Sequence, residues 1–463
     1  MRILQVVHQF LPHHAAGTEI YTYKLSKELL RRGHQVHVFH RDFGHPERGF
    51  LEEDGELDGL VVRRVFHNAS PWLGNAFVNP RIEQSFRKYA SEISADVIHF
   101  QHLDNLSPTL PLMAKGMGKP AVMTLADFWL MCPAMRLYDV ERECACEGPG
   151  GGLRCATCAT LFASLPGVTL PPREEEFKPA VARVPWSVKR LVPRWAKDAV
   201  KRVLRAGGHP VAEMRAASYM ALISAGLAGR LQSMAALDLI IAPSKFIRNL
   251  HIAYGVPGEK IIHSDYGFDL GGLTEARKTA SGSVRFGYTG TLHAHKGAHV
   301  LIDAFRQAGL SSAVLKIFGW GDPGYVESLK RRARGANIEF MGKYKPADVA
   351  KVFSEIDVLV VPSLWYENSP LVIHEAFASR TPALVSGIGG MAELVADGKG
   401  GMTFEVGSVE DLAAKMRKLA EDSSLRTALA ENAPRVKTIE ENAQELEEIY
   451  GRLISARNAP PTA

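Results

Sequence analysis

The chain has 463 residues, 46% hydrophobic and 23% charged, with a net charge of +5 from 55 basic and 50 acidic side chains. At about 100–200 residues per domain this length means two or three domains, and the composition excludes wholesale disorder, collagen and coiled coil. The charge excess is too mild to argue a nucleic-acid binder, and no segment reaches the ~18–20 apolar residues of a membrane span. The best candidate, Ala216 to Gly229, lies between Arg215 and Arg230. The opening Met1-Arg2-Ile3-Leu4-Gln5-Val6-Val7-His8 is a short strand-like run without the apolar stretch of a secretory signal. A cytoplasmic protein is therefore expected, and its five cysteines read as thiols or metal ligands rather than a disulfide framework.

In chain order, Ile3–Phe10 reads as a strand, Gly17–Arg32 as an amphipathic helix stopped by Gly33, and Gln35–His40 as the next strand. Val61–Phe66, Asp96–Phe100 and Ala121–Leu125 follow as strands. The rhythm restarts with strands at Val284–Gly290, Val314–Gly319, Ile338–Gly342, Val358–Pro362 and Ala383–Ser386. Helical patterns lie between them at Ala298–Ala308, Tyr325–Arg334, Ala347–Phe353 and Pro370–Ser379. Short buried strands between crossover helices mean doubly wound parallel sheets. The expected fold is thus α/β, two Rossmann-like domains facing a cleft, with Asp265–Gly282 as linker. The boundaries expected are residues 1–265, 266–430, and a C-terminal helix with a frayed tail over 431–463 that returns to the first domain.

Between the strand at Leu125 and the helix leading to Leu237 lies an insertion, about residues 132–210, too long for an ordinary βα connection. It holds all five cysteines. Cys155-Ala-Thr-Cys158 is a knuckle, Cys144-Ala-Cys146 a closer pair, and Gly148-Pro149-Gly150-Gly151-Gly152 supplies turns. Such spacing suits tetrahedral thiolate ligation by Cys132, Cys155, Cys158 and one of the closer pair, for structural zinc or an iron–sulfur cluster, with thiols in a loop as the plainer alternative. Residues 177–205 carry nine Lys or Arg and one acid, Asp198, interleaved with Trp186, Leu191, Trp195, Val203 and Leu204. That make-up suits a helix lying on an anionic membrane surface, or a solvated basic pair of helices interrupted by Pro185 and Pro193.

Ligands of open α/β sheets bind at the carboxyl ends of the strands. After the strand ending at Pro362 comes Ser363-Leu364-Trp365-Tyr366-Glu367-Asn368-Ser369-Pro370-Leu371-Val372-Ile373-His374-Glu375. Pro370 suits the first turn of a helix and Ser369 its cap. The open amides near Leu371 and Val372 suit a phosphate. Glu367 and Glu375 reach the cleft at different depths, and a carboxylate accepts two hydroxyls side by side, as from a ribose or sugar diol. Lys296, before Gly297, is placed as a point charge on a phosphate. In the first half Gly17 opens a helix after the first strand, without the GxGxxG signature.

These residues resemble the retaining GT-B glycosyltransferases of family 4. Glu367 to Glu375 is similar to the E-x7-E motif of that family. The surroundings are similar too: Val361-Pro362-Ser363, His374-Glu375-Ala376-Phe377-Ala378, Thr381-Pro382, and Gly389-Gly390 with Glu393. Gly17-Thr18-Glu19 with Arg32-Gly33-His34, Ala242-Pro243-Ser244 and Tyr266-Gly267-Phe268-Asp269 add to the likeness, which spans roughly residues 1–131 and 237–420.

The resemblance implies sugar transfer from a nucleotide-diphosphate sugar to a saccharide or lipid-linked acceptor, with retention, in envelope or exopolysaccharide synthesis. Glu375 would hold the ribose and Glu367 would sit by the donor sugar. Lys296, Gly17 and the amides near Leu371 would neutralise the diphosphate, with Ser244 near the nucleotide. No Asp-x-Asp occurs, so no catalytic metal is expected. Same-face attack, with a phosphate oxygen taking the acceptor proton, is the mechanism the family implies. Two positions depart from its pattern: Thr291 stands where an Arg is usual, Lys245 or Lys343 being candidate substitutes, and Ala126 stands where many members have His before Asp127. Asp127 remains, with His102 on the acceptor side. In the insertion, resemblance to family inserts that carry a Cys before Glu-Gly-Pro favours Cys146 over Cys144, so Cys132, Cys146, Cys155 and Cys158 are the expected thiolate set. The rival readings are a nucleotide-sugar epimerase and a catalytically silent nucleotide-sugar or membrane-binding relative.

Overall fold

The computed structural model describes residues 1–42, 50–67, 79–133, 135–139, 142–148, 155, 158, 226–395 and 398–458. Its strands in the first half are β1 (Arg2–Val7), β2 (Gln35–Asp42), β3 (Leu51–Leu57), β4 (Leu60–Phe66), β5 (Val97–Phe100) and β6 (Ala121–Thr124). The short β7 (Tyr138–Asp139) and β8 (Cys144–Ala145) pair with each other, and β9 (Leu239–Ala242) and β10 (Ile261–His263) complete the half. The first sheet has the order β10-β9-β6-β5-β1-β2-β4-β3. All its pairings are parallel except β3 with β4, a hairpin closed by Asp58-Gly59 at φ 49 and 84. Positive φ at both central residues is the primed turn that matches strand twist.

The second sheet contains β11 (Val284–Thr289), β12 (Ala313–Phe318), β13 (Ile338–Gly342), β14 (Val358–Val361), β15 (Ala383–Ser386) and β16 (Gly401–Phe404). Its order is β13-β12-β11-β14-β15-β16, parallel throughout. The helices are α1 (Gly17–Arg31), α2 (Pro80–Glu92), α3 (Leu110–Gly116), α4 (Lys245–Ala253), α5 (Ala298–Ala308), α6 (Pro323–Arg332), α7 (Val349–Ser354), α8 (Leu371–Ala378), α9 (Gly389–Leu394), α10 (Val409–Glu421), α11 (Ser423–Glu431) and α12 (Ile439–Asn458). Strands β5, β6, β14 and β15 are buried along their whole length, as crossover helices on both faces require. The architecture is two parallel-sheet Rossmann-like units.

The segment expected to be a linker, Asp265–Gly282, is partly core. Tyr266, Phe268 and Leu273 are buried, and Phe268 pairs as a β-bridge with Thr438 just before α12. Gly267 permits this crossing, because a Cβ there would sit 2.7 Å from the Thr438 carbonyl oxygen. Helix α12 then packs against the first sheet. The Tyr21 hydroxyl donates to Asn442 Oδ1 at 2.8 Å, and the Tyr450 hydroxyl meets His99 Nδ1 at 2.6 Å. His99 Nε2 pairs with Thr124 Oγ1 at 2.8 Å, so the buried ring ties α12 to β5 and β6. One apolar core runs from β1 and α1 through Tyr266 and Phe268 to β14, α8 and α12.

Candidate active site

Lys296 and Glu367 meet where the loops after β11 and β14 converge. Glu367 Oε1 accepts three donors: Lys296 Nζ at 2.6 Å, Trp365 Nε1 at 2.7 Å and Ser363 Oγ at 2.9 Å. Among the described residues Oε2 accepts none, so the second oxygen of this mostly buried carboxylate is the one open to a ligand. Lys296 Nζ also lies 4.9 Å from the centre of the Trp365 ring, a cation–π contact that fixes its stem. Gly297, at φ 73, turns the chain from Lys296 into α5, and a Cβ there would fall 1.8 Å from the Pro362 carbonyl oxygen. The two junctions touch through bare backbone.

Helix α8 begins at Leu371 with Pro370 as its N-cap, which offers no side-chain acceptor. Ser369, expected as the cap, instead places its hydroxyl 2.7 Å from His374 Nε2, and that buried ring stacks on Phe268 at 4.3 Å. The Ile373 amide donates to the Pro370 carbonyl at 3.1 Å, which leaves the Leu371 and Val372 amides as the open donors of this helix start among the described residues. Gly17, at the start of α1, faces Leu371 from the first domain, since a Cβ there would lie 3.5 Å from Leu371 Cδ1. Glu375 lies one turn into α8, and burial pushes its carboxyl up to about 7.

On the first-domain side Asp127 is held at both oxygens. Its Oδ1 accepts the Trp129 amide at 2.7 Å, and its Oδ2 pairs with His102 Nε2 at 3.0 Å. His102 Nδ1 accepts the Asp104 amide at 3.0 Å, which requires a bare Nδ1 and so makes Nε2 the protonated nitrogen of the neutral ring. Burial disfavours the His102 cation, but Asp127, Asp104 and Glu19 together outweigh it and raise the pKa. Charging the ring would cost the Asp104 hydrogen bond. His102 is buried, while Asp127 stays about one-third exposed. His102 thus touches the partly exposed Asp127 carboxylate from the buried side, and Ala126 beside it adds no polar side chain.

Ser244 is not open to the cleft. Its hydroxyl donates to Asn368 Oδ1 at 3.0 Å and accepts the Ile247 amide at 3.2 Å as the cap of α4. Asn368 Nδ2 in turn donates to the carbonyls of Leu125 at 2.9 Å and Ala126 at 3.2 Å. This buried amide, lying between the two acids of the sequence motif, straps the loop before α8 onto the first domain. Glu393 reinforces the strap by accepting the Lys245 and Phe246 amides at 2.9 and 2.8 Å, capping α4 from the opposite domain. Thr291 contributes its carbonyl to the Tyr288 hydroxyl at 2.8 Å. Lys245 is exposed, and Lys343 lies over the Trp320 ring at 5.3 Å.

Residues 15–139 match the family described as Glycosyltransferase Family 4, and residues 275–436 match Glycosyl transferases group 1. The chain belongs to the family 4 glycosyltransferases. An uncharacterized glycosyltransferase of Methanocaldococcus jannaschii is 28% identical over 42% of this chain and 53% of its own length. A D-inositol 3-phosphate glycosyltransferase of Corynebacterium urealyticum is 29% identical over 36% of this chain and 42% of its own. The chain thus matches about half the length of these relatives. Sucrose-phosphate synthase from Thermosynechococcus elongatus superposes with a TM-score of 0.65 at 16% identity, covering 98% of this chain and 99% of that one. The Anabaena protein HepE, in complex with UDP and glucose, superposes with a TM-score of 0.57 at 16% identity over 99% of each chain. The fold of this glycosyltransferase is GT-B.

The expected thiolate metal site is not formed. Among the described residues no three His, Cys, Asp or Glu side chains gather as a metal-binding group. Cys146 Sγ donates to the Gly148 carbonyl at 3.1 Å and Cys158 Sγ to the Tyr138 carbonyl at 3.3 Å, while Cys132 is buried in the apolar core of the first domain. Cys155 completes no set with them. The basic stretch 177–205 lies outside the described residues. No described helix is long and apolar enough to cross a membrane.

The sequence reading of this glycosyltransferase missed Asn368, Trp365 and Arg136. Asn368 and Trp365 sit within a stretch already singled out, and a polar or aromatic residue just past a strand end was the available signal. Arg136 lies in the insertion, where no periodicity fixed its direction.

Proposed function

We propose that this chain is a retaining glycosyltransferase, moving a sugar from a nucleotide-diphosphate sugar to a saccharide or lipid-linked acceptor in envelope or exopolysaccharide synthesis. The observation that carries the reading is the pairing of Lys296 with Glu367 beside the α8 amino terminus, with Glu375 deeper on the same helix. The HepE complex with UDP and glucose supports a nucleotide-sugar donor for this architecture.

In this reading Lys296 and the α8 amides neutralise the leaving diphosphate, Glu367 Oε2 grips a hydroxyl of the donor sugar, and Glu375 accepts the ribose diol. The acceptor oxygen bonds to the anomeric carbon on the face that the diphosphate leaves. The carbon–oxygen bond to phosphate breaks, its electron pair stays on the phosphate oxygen, and the acceptor proton passes to that phosphate. Fixed positive groups aimed at the developing charge lower the barrier. Asp127, oriented by His102, borders the acceptor side. This reading has the reaction in the cytoplasm, and the basic composition of residues 177–205 suits attraction to an anionic inner membrane surface that carries a lipid-linked acceptor.

The test is release of nucleoside diphosphate from UDP-, ADP- and GDP-sugars with saccharide and lipid-linked acceptors, the product anomer read by NMR. Transfer with retention is expected. Nucleotide binding without transfer would favour a silent relative, and isomerised donor without acceptor an epimerase.

A pH signature follows from Glu375. Its carboxyl is raised from 4.5 to about 7 by burial, so the empty site is largely protonated below pH 7. Two ribose hydroxyls donating to the carboxylate favour the ionised form. Nucleotide binding at pH 6.5 should therefore release a proton, read as a binding enthalpy that changes with the ionisation enthalpy of the buffer. The release should vanish in Glu375→Gln. Buffer-independent enthalpy in the wild type would remove Glu375 from the ribose site. For folding the sign is fixed: the native state holds this proton longer than the unfolded chain, so the contribution of Glu375 to stability falls as pH rises from about 4.5 to 7.

A further inference from the structure

At the amino ends of the second sheet's strands, on the side away from the cleft, lies a pocket of about 470 Å³. Val284, which opens β11, borders it, as do Asp357 just before β14 and Pro382 just before β15. Lys296 and Glu367 follow the other ends of β11 and β14, roughly 20 Å away at ~3.3 Å per strand residue. Four basic side chains line the pocket, Lys278, Arg285, Arg380 and Arg426, against one carboxylate, Asp357. Asp357 is already taken: its oxygens accept the Arg285 guanidinium at 3.0 and 2.7 Å and the Arg285 amide at 2.8 Å.

The other three cations pair with no acid among the described residues. Lys278 Nζ donates to the carbonyls of Phe353, at 2.9 Å, and Ile356, and to Thr381 Oγ1. Arg426 Nη1 donates to the carbonyls of Leu419 and Ala420 in the last turn of α10, the second at 3.1 Å, and its Nε and Nη2 stay open. Arg380, left-handed at φ 52 just past α8, is exposed, and its side chain makes no hydrogen bond or ion pair with the described residues. Carbonyls at a helix end orient a cation and offset part of its charge without neutralising it. Burial pulls Lys278 down to about 8, against Asp357 and with Arg285 adding to the pull, so its ammonium is charged at neutral pH. A concavity lined by one sign of charge concentrates counter-ions. The pocket also touches both chain connections between the domains. Lys278 lies in the 265–282 segment, whose Phe268 pairs with Thr438, and Arg426 lies in α11, which leads to Thr438 and α12. Arg380 follows the helix that carries Glu375.

We propose that this pocket is a second anion site, which takes a small phosphate-bearing ligand between Lys278, Arg380 and Arg426 and biases closure of the cleft. Its volume lies within the ~300–1,000 Å³ of small-ligand sites. A phosphate accepts the open nitrogens of two planar guanidinium groups, and Lys278 adds its charge without giving up its three acceptors. Bridging Arg380 to Arg426 ties the end of α8 to the segment that crosses back to the first domain. The anion site stands whatever the cleft binds; its effect on closure rests on reading the cleft as the nucleotide-sugar site.

The experiment is calorimetric titration of the full chain with inorganic phosphate and with glucose 6-phosphate, each in saturating UDP. It is run for the wild type, Arg380→Gln, Arg380→Lys, Arg426→Gln and Lys296→Ala, with unliganded thermal melts beside it. Both the wild type and Lys296→Ala should bind. Equal affinity for the two ligands identifies phosphate itself, and tighter glucose 6-phosphate a phosphomonoester. Each Gln variant should weaken binding about 10-fold, the scale of a lost charged hydrogen bond, and Arg380→Lys should recover part of the loss. Arg380 has no structural bond to lose, so its variant should melt with the wild type and decides the matter if Arg426→Gln melts early. Saturating phosphate ligand should shift UDP affinity by about fivefold or more, and the shift should shrink in Arg380→Gln. No binding to the wild type at millimolar ligand would overturn the site, as would wild-type affinity in Arg380→Gln. Binding that UDP or Lys296→Ala abolishes would place the ligand in the cleft and overturn it too. An Arg380-dependent site that leaves UDP affinity unchanged would overturn the effect on closure. A wild type that binds phosphate through Arg380 but binds no UDP would bring down the cleft reading alone.

Discussion

Lys296→Ala should lower kcat by about 10³-fold, the scale seen when a preorganised electrostatic partner of the developing charge is removed. The geometry argues for kcat over KM. In the ground state Lys296 is shared with Glu367 at 2.6 Å, so part of its charge is already spent. As the bond to the anomeric carbon breaks, negative charge grows on the leaving phosphate and the ammonium is drawn toward it, an interaction stronger in the transition state than before it. The α8 amides remain in the variant and keep part of the donor affinity. Lys296→Arg should retain more activity than Ala but not restore it, because the wider guanidinium must share the Trp365 surface with Arg136. The measurement is steady-state turnover with donor titrated at saturating acceptor. A fall of less than tenfold in kcat would mean that the ammonium serves only to hold Glu367.

Much of the architecture was legible because it depends on local pattern. Ile338–Gly342 and Ala383–Ser386 are strands at the limits the sequence implied, and Ala298–Ala308 is a helix at its expected limits. Each alternates a short apolar run with glycine or polar punctuation. Strands β9 and β10 carry little local signal, because Leu239–Ala242 and Ile261–His263 are only four and three residues long and gain their identity from pairing, β9 with the distant β6 and β10 with β9. The β3 segment, Leu51–Leu57, carries Glu52, Glu53, Asp54 and Glu56 and no strand-like alternation; Arg63 on the neighbouring strand, paired with Glu52, Asp54 and Glu92, is what accommodates it. The Asp58-Gly59 turn was the one local signal there.

The site divides the same way. Lys296, Glu367 and Glu375 stand at strand-to-helix junctions whose destination follows from topology. Ser369 does not cap α8 and the Ser244 hydroxyl is turned inward, because a serine before a helix has several possible partners, and His374 and Asn368 claim these two through contacts five and 124 positions away. The thiolate set is a related case: spacing proposes a cluster, but no metal-binding group forms among the described residues, and two of the thiols donate to the backbone carbonyls of Gly148 and Tyr138.

Gly297→Ala should destabilise the second domain more than any surface substitution. Two costs combine. The residue sits at φ 73, where a Cβ-bearing residue costs about 1–2 kcal/mol. Independently, the new Cβ would lie 1.8 Å from the Pro362 carbonyl oxygen, a backbone atom at the end of β14 that cannot rotate away. Relieving that overlap must separate the β11 and β14 junctions, which are the backbone under Lys296 and Glu367. Together the two effects should cost about 4 kcal/mol, in the range reserved for overpacking and backbone strain. Gly335→Ala isolates the first cost, since Gly335 has φ 76 with no atom within 4 Å of the added Cβ. Thermal melts of the two variants should therefore differ by several degrees, at about 2–4 °C per kcal/mol for a domain of this size. The Gly297 variant should also lose turnover at temperatures where it is still folded, because the Lys296–Glu367 pair is pulled apart, while Gly335→Ala keeps wild-type turnover. Equal melting temperatures for the two variants would mean that the junction yields without cost, and the close backbone contact would then not be what holds Lys296 against Glu367.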